Sequence, residues 1–474
     1  MTVETAASGR SPGSTTGPAP GTHPGSSGPG SSGPGSPGPD SPGSAGARLG
    51  WLDALRGFAA LTVVWFHLSP VVLGPERHLR IHHHIDLGKY GVLLFFLVSG
   101  YVIPMSLERH GSLRRFWVGR LFRVYPAYLA TIAVTGVLVV AGLGGLRASL
   151  RADPVTAVLA HATMLMDPLG LRGTVRVFWT LSYEMIFYLV VAGLFAWRLH
   201  RHSGWWAAGL AAVALMAGPR LPDGLFAADP GGRRITAAVL LVLVAGVVAA
   251  CLSGRRRLTL AAGTAGICFL ALPALDGHPS ADSTVAASWQ GLLLLAVMFA
   301  GTVVFRAQHG QLGRWPAASA LAAVGGGTVA AHAVYLPGRS TEVWLTTVAA
   351  VAATFAVAYA LRRRAVPRIF AWLGTISYSL YLLHVVVLGQ VVRFVPDLAH
   401  RPAPQRCLVG AVFLLLALGV AAVSQRVVER PGQALGRRLL RALEGAPGPP
   451  RSVPFTTERA APRTRRRQDT RRSV

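Results

Sequence analysis

The sequence predicts an all-α protein: a polytopic transmembrane helix bundle of about 10–12 spans with disordered N- and C-terminal tails. Three observations predict it. The 474 residues are 52% hydrophobic and only 14% charged, with a mean hydropathy of +0.45, whereas soluble domains carry about 25% charged residues. Apolar runs such as Ile235–Cys251, Trp289–Phe305 and Val343–Leu361 approach the roughly 20 residues that cross a hydrocarbon core, and most lack the polar face a soluble helix needs. Finally, the two ends of the chain differ sharply in composition from the middle.

Residues 1–47 are rich in Gly, Ser and Pro and have no apolar stretch of signal-peptide type. They cannot bury enough apolar surface to offset the entropy of ordering, so a disordered tail is expected. Residues 48–432 form the membrane domain. Spans are expected near 51–72, 88–107, 121–143, 178–197, 205–221, 235–253, 258–275, 285–305, 316–336, 343–361, 369–393 and 407–426. Pro154–Met166 is too short to cross and is expected to be re-entrant or interfacial. Residues 433–474 read as a basic disordered tail, free in solution or touching anionic headgroups.

The net charge of +27 is almost all arginine, with Lys89 the one lysine. Arg114, Arg115, Arg120 and Arg123, then Arg198 and Arg201, Arg255–Arg257 and Arg362–Arg364 fall on one side of a twelve-span chain. The positive-inside bias makes that side, and both termini, cytoplasmic. The charge is thus topological, and no nucleic-acid partner is expected. Cys251, Cys268 and Cys407 have no metal-site spacing and form no even set. The cluster His82, His83, His84 and Asp86 lies in an outer loop without a tetrahedral ligand pattern, so no metal site is expected.

The membrane spans carry polar residues that need a reason. Arg56 and His67 are eleven residues apart in "LRGFAALTVVWFH", about three turns plus 20°, and so share one helix face about 16 Å apart. Asp53, three residues before Arg56, is placed to pair with it. A histidine that deep faces a cavity or a partner. Arg120 and Arg123 in "RRFWVGRLFRVYPAYL" share a face at one end of a span, either as ordinary anchors or as a phosphate clamp. Glu184, with Tyr188 four residues on, is an intramembrane carboxylate and by default a functional residue. Ser377, Tyr381 and His384 share a face in "ISYSLYLLH", as a packing seam or a site. Gly91, Ser99 and Gly100 in "GVLLFFLVSGYVIP" permit close approach of a neighbouring helix or ligand. Walker A, G-x-S-x-G, H-E-x-x-H and Rossmann signatures are absent.

In order, "LDALRGFAALTVVWFH", "GVLLFFLVSGYVI", "FWVGRLFRVYPAYL", "FWTLSYEMIFYLVV", "ISYSLYLLH" and "VVERP" resemble the acyltransferase 3 family of bacterial integral membrane O-acyltransferases. The resemblance implies transfer of an acyl group, most often acetyl, from cytoplasmic acyl-CoA to a hydroxyl of a carbohydrate or glycosylated small molecule. It implies His67 as the catalytic histidine, with Arg56 essential beside it, and no permanently bound cofactor. The family often has two adjacent acidic residues where this chain has Glu184 and Met185, so only Glu184 can act. An appended hydrolase-type domain found in some members is not expected in the short segment after residue 432.

These residues suggest a layout. Arg56, Arg120 and Arg123 bind the donor, His67 and Glu184 carry the chemistry, and Asp53, Tyr188, Tyr381 and His384 support them. His67 as general base and a covalent acyl-histidine relay are both open. A proton-coupled transporter or flippase of a glycan or lipid intermediate, with His67 and Glu184 as a proton relay, is the alternative. The absence of internal repeats counts against it.

Overall fold

The computed structural model describes residues 42–445. Helix is the only regular structure among them, and eleven helices are long and apolar enough to cross a membrane. In chain order the helices are α1 Pro42–Leu73, α2 Pro75–His82, α3 Leu87–His110, α4 Leu113–Val140, α5 Ala148–Ala152, α6 Pro154–Thr163, α7 Trp179–Ala196, α8 Ser203–Ala217 and α9 Pro230–Ser253. There follow α10 Arg256–Cys268, α11 Ala271–Leu275, α12 Ser288–Gln308, α13 Arg314–Tyr335, α14 Arg339–Ala360, α15 Arg368–Phe394, α16 Ala403–Ser424 and α17 Arg430–Glu444.

Eleven of the twelve expected spans match helices of spanning length. The exception is 205–221. There α8 has only 15 residues, about 22 Å of helix. It carries the chain across with the help of short 3₁₀ turns at Leu199–His202 and Gly218–Arg220, packed on α12 and α13. The bundle has a core and a rim. The spanning windows of α7, α12 and α3 are 94, 83 and 72% buried, while those of α14, α4 and α16 are 17–22% buried and show apolar side chains outward. That outward face is what hydrocarbon requires.

Small residues set the core spacing. Gly100 of α3 and Gly301 of α12 face each other so closely that neither has room for a Cβ, and Thr302 Oγ1 donates to the Gly100 carbonyl at 2.8 Å. Gly91 packs on Ala59 and Val63 of α1 in the same way.

The short α6 does not cross. It dips into the bundle until the Tyr125 and Tyr128 hydroxyls of α4 donate to the carbonyls of Ala162 (2.7 Å) and His161 (3.2 Å). The buried return contains Asp167, which accepts from Thr284 N–H at 2.5 Å and from the Tyr183 hydroxyl at 3.3 Å. Burial pushes the Asp167 carboxyl up to about 6. The short, non-crossing segment fits the re-entrant expectation, and Tyr125 and Tyr128 tie it to α4.

Two tail expectations change. α1 already begins at Pro42, and residues 430–444, largely assigned to a disordered tail, form the amphipathic α17. Its apolar side packs on α4, where Gly436 lies against Phe122. Arg115 and Glu444 form a two-pronged ion pair at 2.7 Å. The remaining tail residues lie outside the described residues.

Candidate active site

Let the proximal end of the bundle be the one where Gly50 of α1 lies, and the distal end the one where α1 stops. Arg114, Arg115, Arg198, Arg201, Arg255–Arg257 and Arg362–Arg364, with Arg437 and Arg441 of α17, belong to loops and helix ends of the proximal end, while Arg120 and Arg123 lie further inside α4.

α1 and α15 meet at Gly57 and Gly374. A Cβ on Gly57 would lie 2.8 Å from Gly374 N, and Gly374 leaves no room before the backbone of Asp53. The two helices then run side by side. Ten residues further along each, His67 and His384 come together, His384 Nε2 to His67 Nδ1 at 3.2 Å. The carbonyl partners fix both tautomers. His384 Nδ1 lies 3.0 Å from Leu380 O and 2.9 Å from Tyr381 O, so it carries its proton there. His67 Nδ1 lies 2.9 Å from Val63 O and donates to it as well. His384 Nε2 is then an acceptor for the same His67 N–H, and the lone pair of His67 is left on Nε2.

On the proximal side of this pair is a cavity lined by Arg56, Ser99, Arg120, Arg123, Thr180, Glu184, Tyr188, Tyr378 and Tyr381 among apolar residues. Seven residues singled out in the sequence, Arg56, Ser99, Arg120, Arg123, Glu184, Tyr188 and Tyr381, therefore line one cavity. Three guanidiniums face one carboxylate, and none is within ion-pair distance of it among the described residues. Glu184 instead accepts from the Tyr188 hydroxyl at 2.5 Å. The Arg120 guanidinium lies over the Tyr188 ring, 5.6 Å from its centroid. The free space is narrow, about 60 Å³. A second cavity, of about 490 Å³, lies at the proximal end and is lined by His110, Arg115, Arg437, Arg441 and Glu444 among others. Arg120 and Arg123 line both cavities and so stand at the neck between them.

At its distal end the narrow cavity reaches Thr180 and Tyr381, whose hydroxyls are 2.8 Å apart. Tyr381 is one turn before His384 on α15 and also donates to Val177 O at 3.1 Å. The cavity thus ends beside the histidine pair, although His67 itself does not line it.

Two expectations need correction. Asp53 and Arg56 form no close ion pair among the described residues: the Asp53 backbone and Cβ pack on Gly374 at the α1–α15 contact and Arg56 faces the cavity, with Asp53 still near enough to act electrostatically on Arg56. Glu184 is not the partner of His67. It belongs to the arginine layer with Tyr188, and the imidazole is held by His384.

Glu429 stands beside Arg430 in the "VVERP" stretch. The structure buries it on a π-turn, Gln425–Glu429, where it accepts from Ser379 N–H at 3.2 Å and from the Ser379 hydroxyl. It is close enough to Arg56 and Arg123 to interact electrostatically with both. A carboxylate at the end of an otherwise apolar span was the signal that marked it. In the outer loop, His82 approaches Asp86 and His84 approaches Glu342, so the histidines are directed to different partners.

The chain matches the family model described as an Acyltransferase domain over residues 49–272 and 235–423. It is 32% identical over 180 residues to Acyltransferase MdmB of Streptomyces mycarofaciens, covering 35% of this chain and 45% of that protein. It is 29% identical over 153 residues to a putative peptidoglycan O-acetyltransferase, YrhL, of Bacillus subtilis, covering 29% of this chain and 22% of that one. The Exopolysaccharide production protein ExoZ of Rhizobium meliloti is 35% identical over 130 residues, covering 26% and 40%. The chain therefore spans less than half the length of each of these relatives. No solved structure matches it.

Proposed function

Since the chain belongs to the acyltransferase 3 family, we propose that it is a multi-pass cell-membrane O-acyltransferase. It takes an acyl group, with acetyl the first choice, from cytoplasmic acyl-CoA and delivers it to a hydroxyl of a carbohydrate or glycosylated acceptor. Relatives named as peptidoglycan O-acetyltransferases and an exopolysaccharide production protein support a carbohydrate acceptor. In this orientation the proximal end and both termini are cytoplasmic, in keeping with the arginines gathered there.

The observation that carries the proposal is the arginine neck. Arg120 and Arg123 line both the wide proximal cavity and the narrow one that ends beside His384 and His67. A coenzyme A thioester has a wide anionic head and a long, thin arm. The head fits the basic mouth formed with Arg115, Arg437 and Arg441, and guanidinium forks suit its phosphates. The arm passes Arg56 and Glu184 and brings the thioester to the Tyr381 end, since Arg56 and His67 are about 16 Å apart along α1. Excess positive charge inside the bundle favours an anionic occupant.

His67 Nε2 then takes the proton of the acceptor hydroxyl as its oxygen attacks the thioester carbonyl. The C–O bond forms, the C–S bond breaks, and the imidazolium returns the proton to the leaving thiolate. Val63 O and His384 Nε2 hold Nδ1–H throughout, so the ring cannot present the wrong nitrogen. Glu184 and Tyr188 keep the arginine layer in place.

The test is transfer of label from [14C]acetyl-CoA to a soluble glycan by the purified chain, alongside coenzyme A binding by Arg120→Gln/Arg123→Gln. Label in the glycan and weakened binding in the variant are expected. Binding untouched by the double substitution would contradict the neck.

A further inference from the structure

The distal rim carries a second basic cluster, and it has no topological reason to exist. The inside bias that explains the proximal arginines disfavours arginine in the short loops of the other end. Yet Arg147, Arg172 and Arg176 gather there, close enough that Arg172 and Arg147 both act electrostatically on Arg176. None of the three side chains makes a hydrogen bond or ion pair among the described residues, in contrast to Arg234, which pairs with Asp153 at 3.0 Å.

The backbone that bears these arginines is fixed to α15 and α6. Gln390 Nε2 donates to Leu143 O at 3.1 Å and Arg393 Nη2 to Gly142 O at 2.9 Å, which holds the loop leading to Arg147 against the last turns of α15. Thr174 N–H and its hydroxyl meet His161 Nε2 at 3.0 and 2.8 Å, between Arg172 and Arg176. Val177, next to Arg176, is bound to Tyr381 one turn from His384. Both loops thus lie against the distal half of α15, one at Tyr381, one turn from His384, and the other at Gln390 and Arg393 further along, and Arg176 is within electrostatic reach of His67.

We infer that Arg147, Arg172 and Arg176 form an anion subsite for the acceptor, so that the preferred acceptor bears a carboxylate or phosphate near the hydroxyl that is acylated. The inference rests on the proposed acyl transfer for the word acceptor, but the subsite itself is independent of it. Three like charges gathered without an ion-pair partner repel one another, and a bound anion relieves that repulsion. The loops are tied down before the ligand arrives, so little ordering cost is left to binding. Arg393, whose guanidinium is engaged with Gly142 O, shapes the subsite rather than serving it.

An anionic lipid headgroup offers the same chemistry as an acidic sugar, and the experiment separates them. The purified full chain in phosphatidylcholine nanodiscs is titrated calorimetrically with p-nitrophenyl β-glucuronide and with the neutral p-nitrophenyl β-glucoside, without donor. The glucuronide is expected to bind about tenfold tighter, as a charge-assisted contact gives, with the gap closing as salt rises. Arg172→Gln/Arg176→Gln should bring the two affinities together, and Arg172→Lys/Arg176→Lys should keep part of the gap. Equal affinities in the wild type, or a gap untouched by the glutamine pair, would overturn the subsite. Repeating the titration in phosphatidylglycerol discs should leave the gap in place; its loss there would give the cluster to lipid headgroups and overturn its assignment to the acceptor. Because no donor is present, a failure of acyl transfer would leave these outcomes unaffected.

Discussion

His384 Nε2 lies 3.2 Å from His67 Nδ1, and the carbonyls of Val63, Leu380 and Tyr381 leave one arrangement of protons for the pair. His384 is therefore a positioning residue. It holds the tautomer that leaves the lone pair of His67 on Nε2, the nitrogen proposed as the base. His384→Ala should lower the rate of coenzyme A release by roughly 10²-fold, as loss of a tautomer-fixing partner does. Coenzyme A affinity should be unchanged, since the binding cavity is lined by other residues. Comparing kcat with the dissociation constant of coenzyme A checks this; a variant that loses both together would mean that His384 only supports the fold.

Arg123 stands at the neck between the two cavities. Arg123→Gln should weaken coenzyme A binding about tenfold or more, as loss of a charge-assisted contact to phosphate implies, and should flatten the salt dependence of that binding. Titrations at two ionic strengths measure both effects. Arg123→Lys should recover only part of the affinity, because an ammonium cannot form the guanidinium fork.

The histidine pair depends on how closely α1 and α15 approach. Gly374 has no room for a Cβ before the Asp53 backbone, whereas Gly389 on the same helix faces open space. Gly374→Ala should destabilise the protein by about 1–3 kcal/mol through overpacking and lower activity by separating His67 from His384. Gly389→Ala should be neutral or stabilising by up to about 1 kcal/mol from helix propensity. Thermal unfolding in detergent compares the two.

Asp167 gives a pH signature. Its folded carboxyl is pushed up to about 6 by burial, from a reference of 3.8. Between those values the folded chain binds more protons than the unfolded one, so the stability this group contributes is fully present below about pH 4 and is lost as pH rises through about 6. Asp167→Asn removes the titration while keeping an oxygen for Thr284 N–H. The variant should therefore gain on the wild type from pH 4 to 6, by up to a few kcal/mol, with no further change above pH 7. Melting temperatures across that range decide it.

Much of this was written in the chain. Arg56 and His67 are eleven positions apart, which puts both on one helix face, and the structure uses that face for the cavity at one level and the histidine pair at another. Arg120, Arg123, Glu184 and Tyr188 came from charge inside apolar spans, where a polar group is too costly to be incidental. The partner of His67 was not legible. Glu184 and His384 lie on different helices, and which one meets His67 depends on the α1–α15 contact through Gly57 and Gly374, a tertiary fact. α17 was missed because arginine-rich composition hid an apolar stripe that packs on α4. The span expected at 205–221 is present as the short α8, but its brevity and its 3₁₀ flanks were not legible from hydropathy alone.

The decisive comparison is acetyl-CoA turnover to a glycan acceptor by the purified full chain and by His67→Ala. The substitution should reduce transfer by about 10²–10⁴-fold, the range expected when a general base is removed, while coenzyme A still binds at the arginine neck. Transfer at the wild-type rate in His67→Ala would contradict the role given to this histidine.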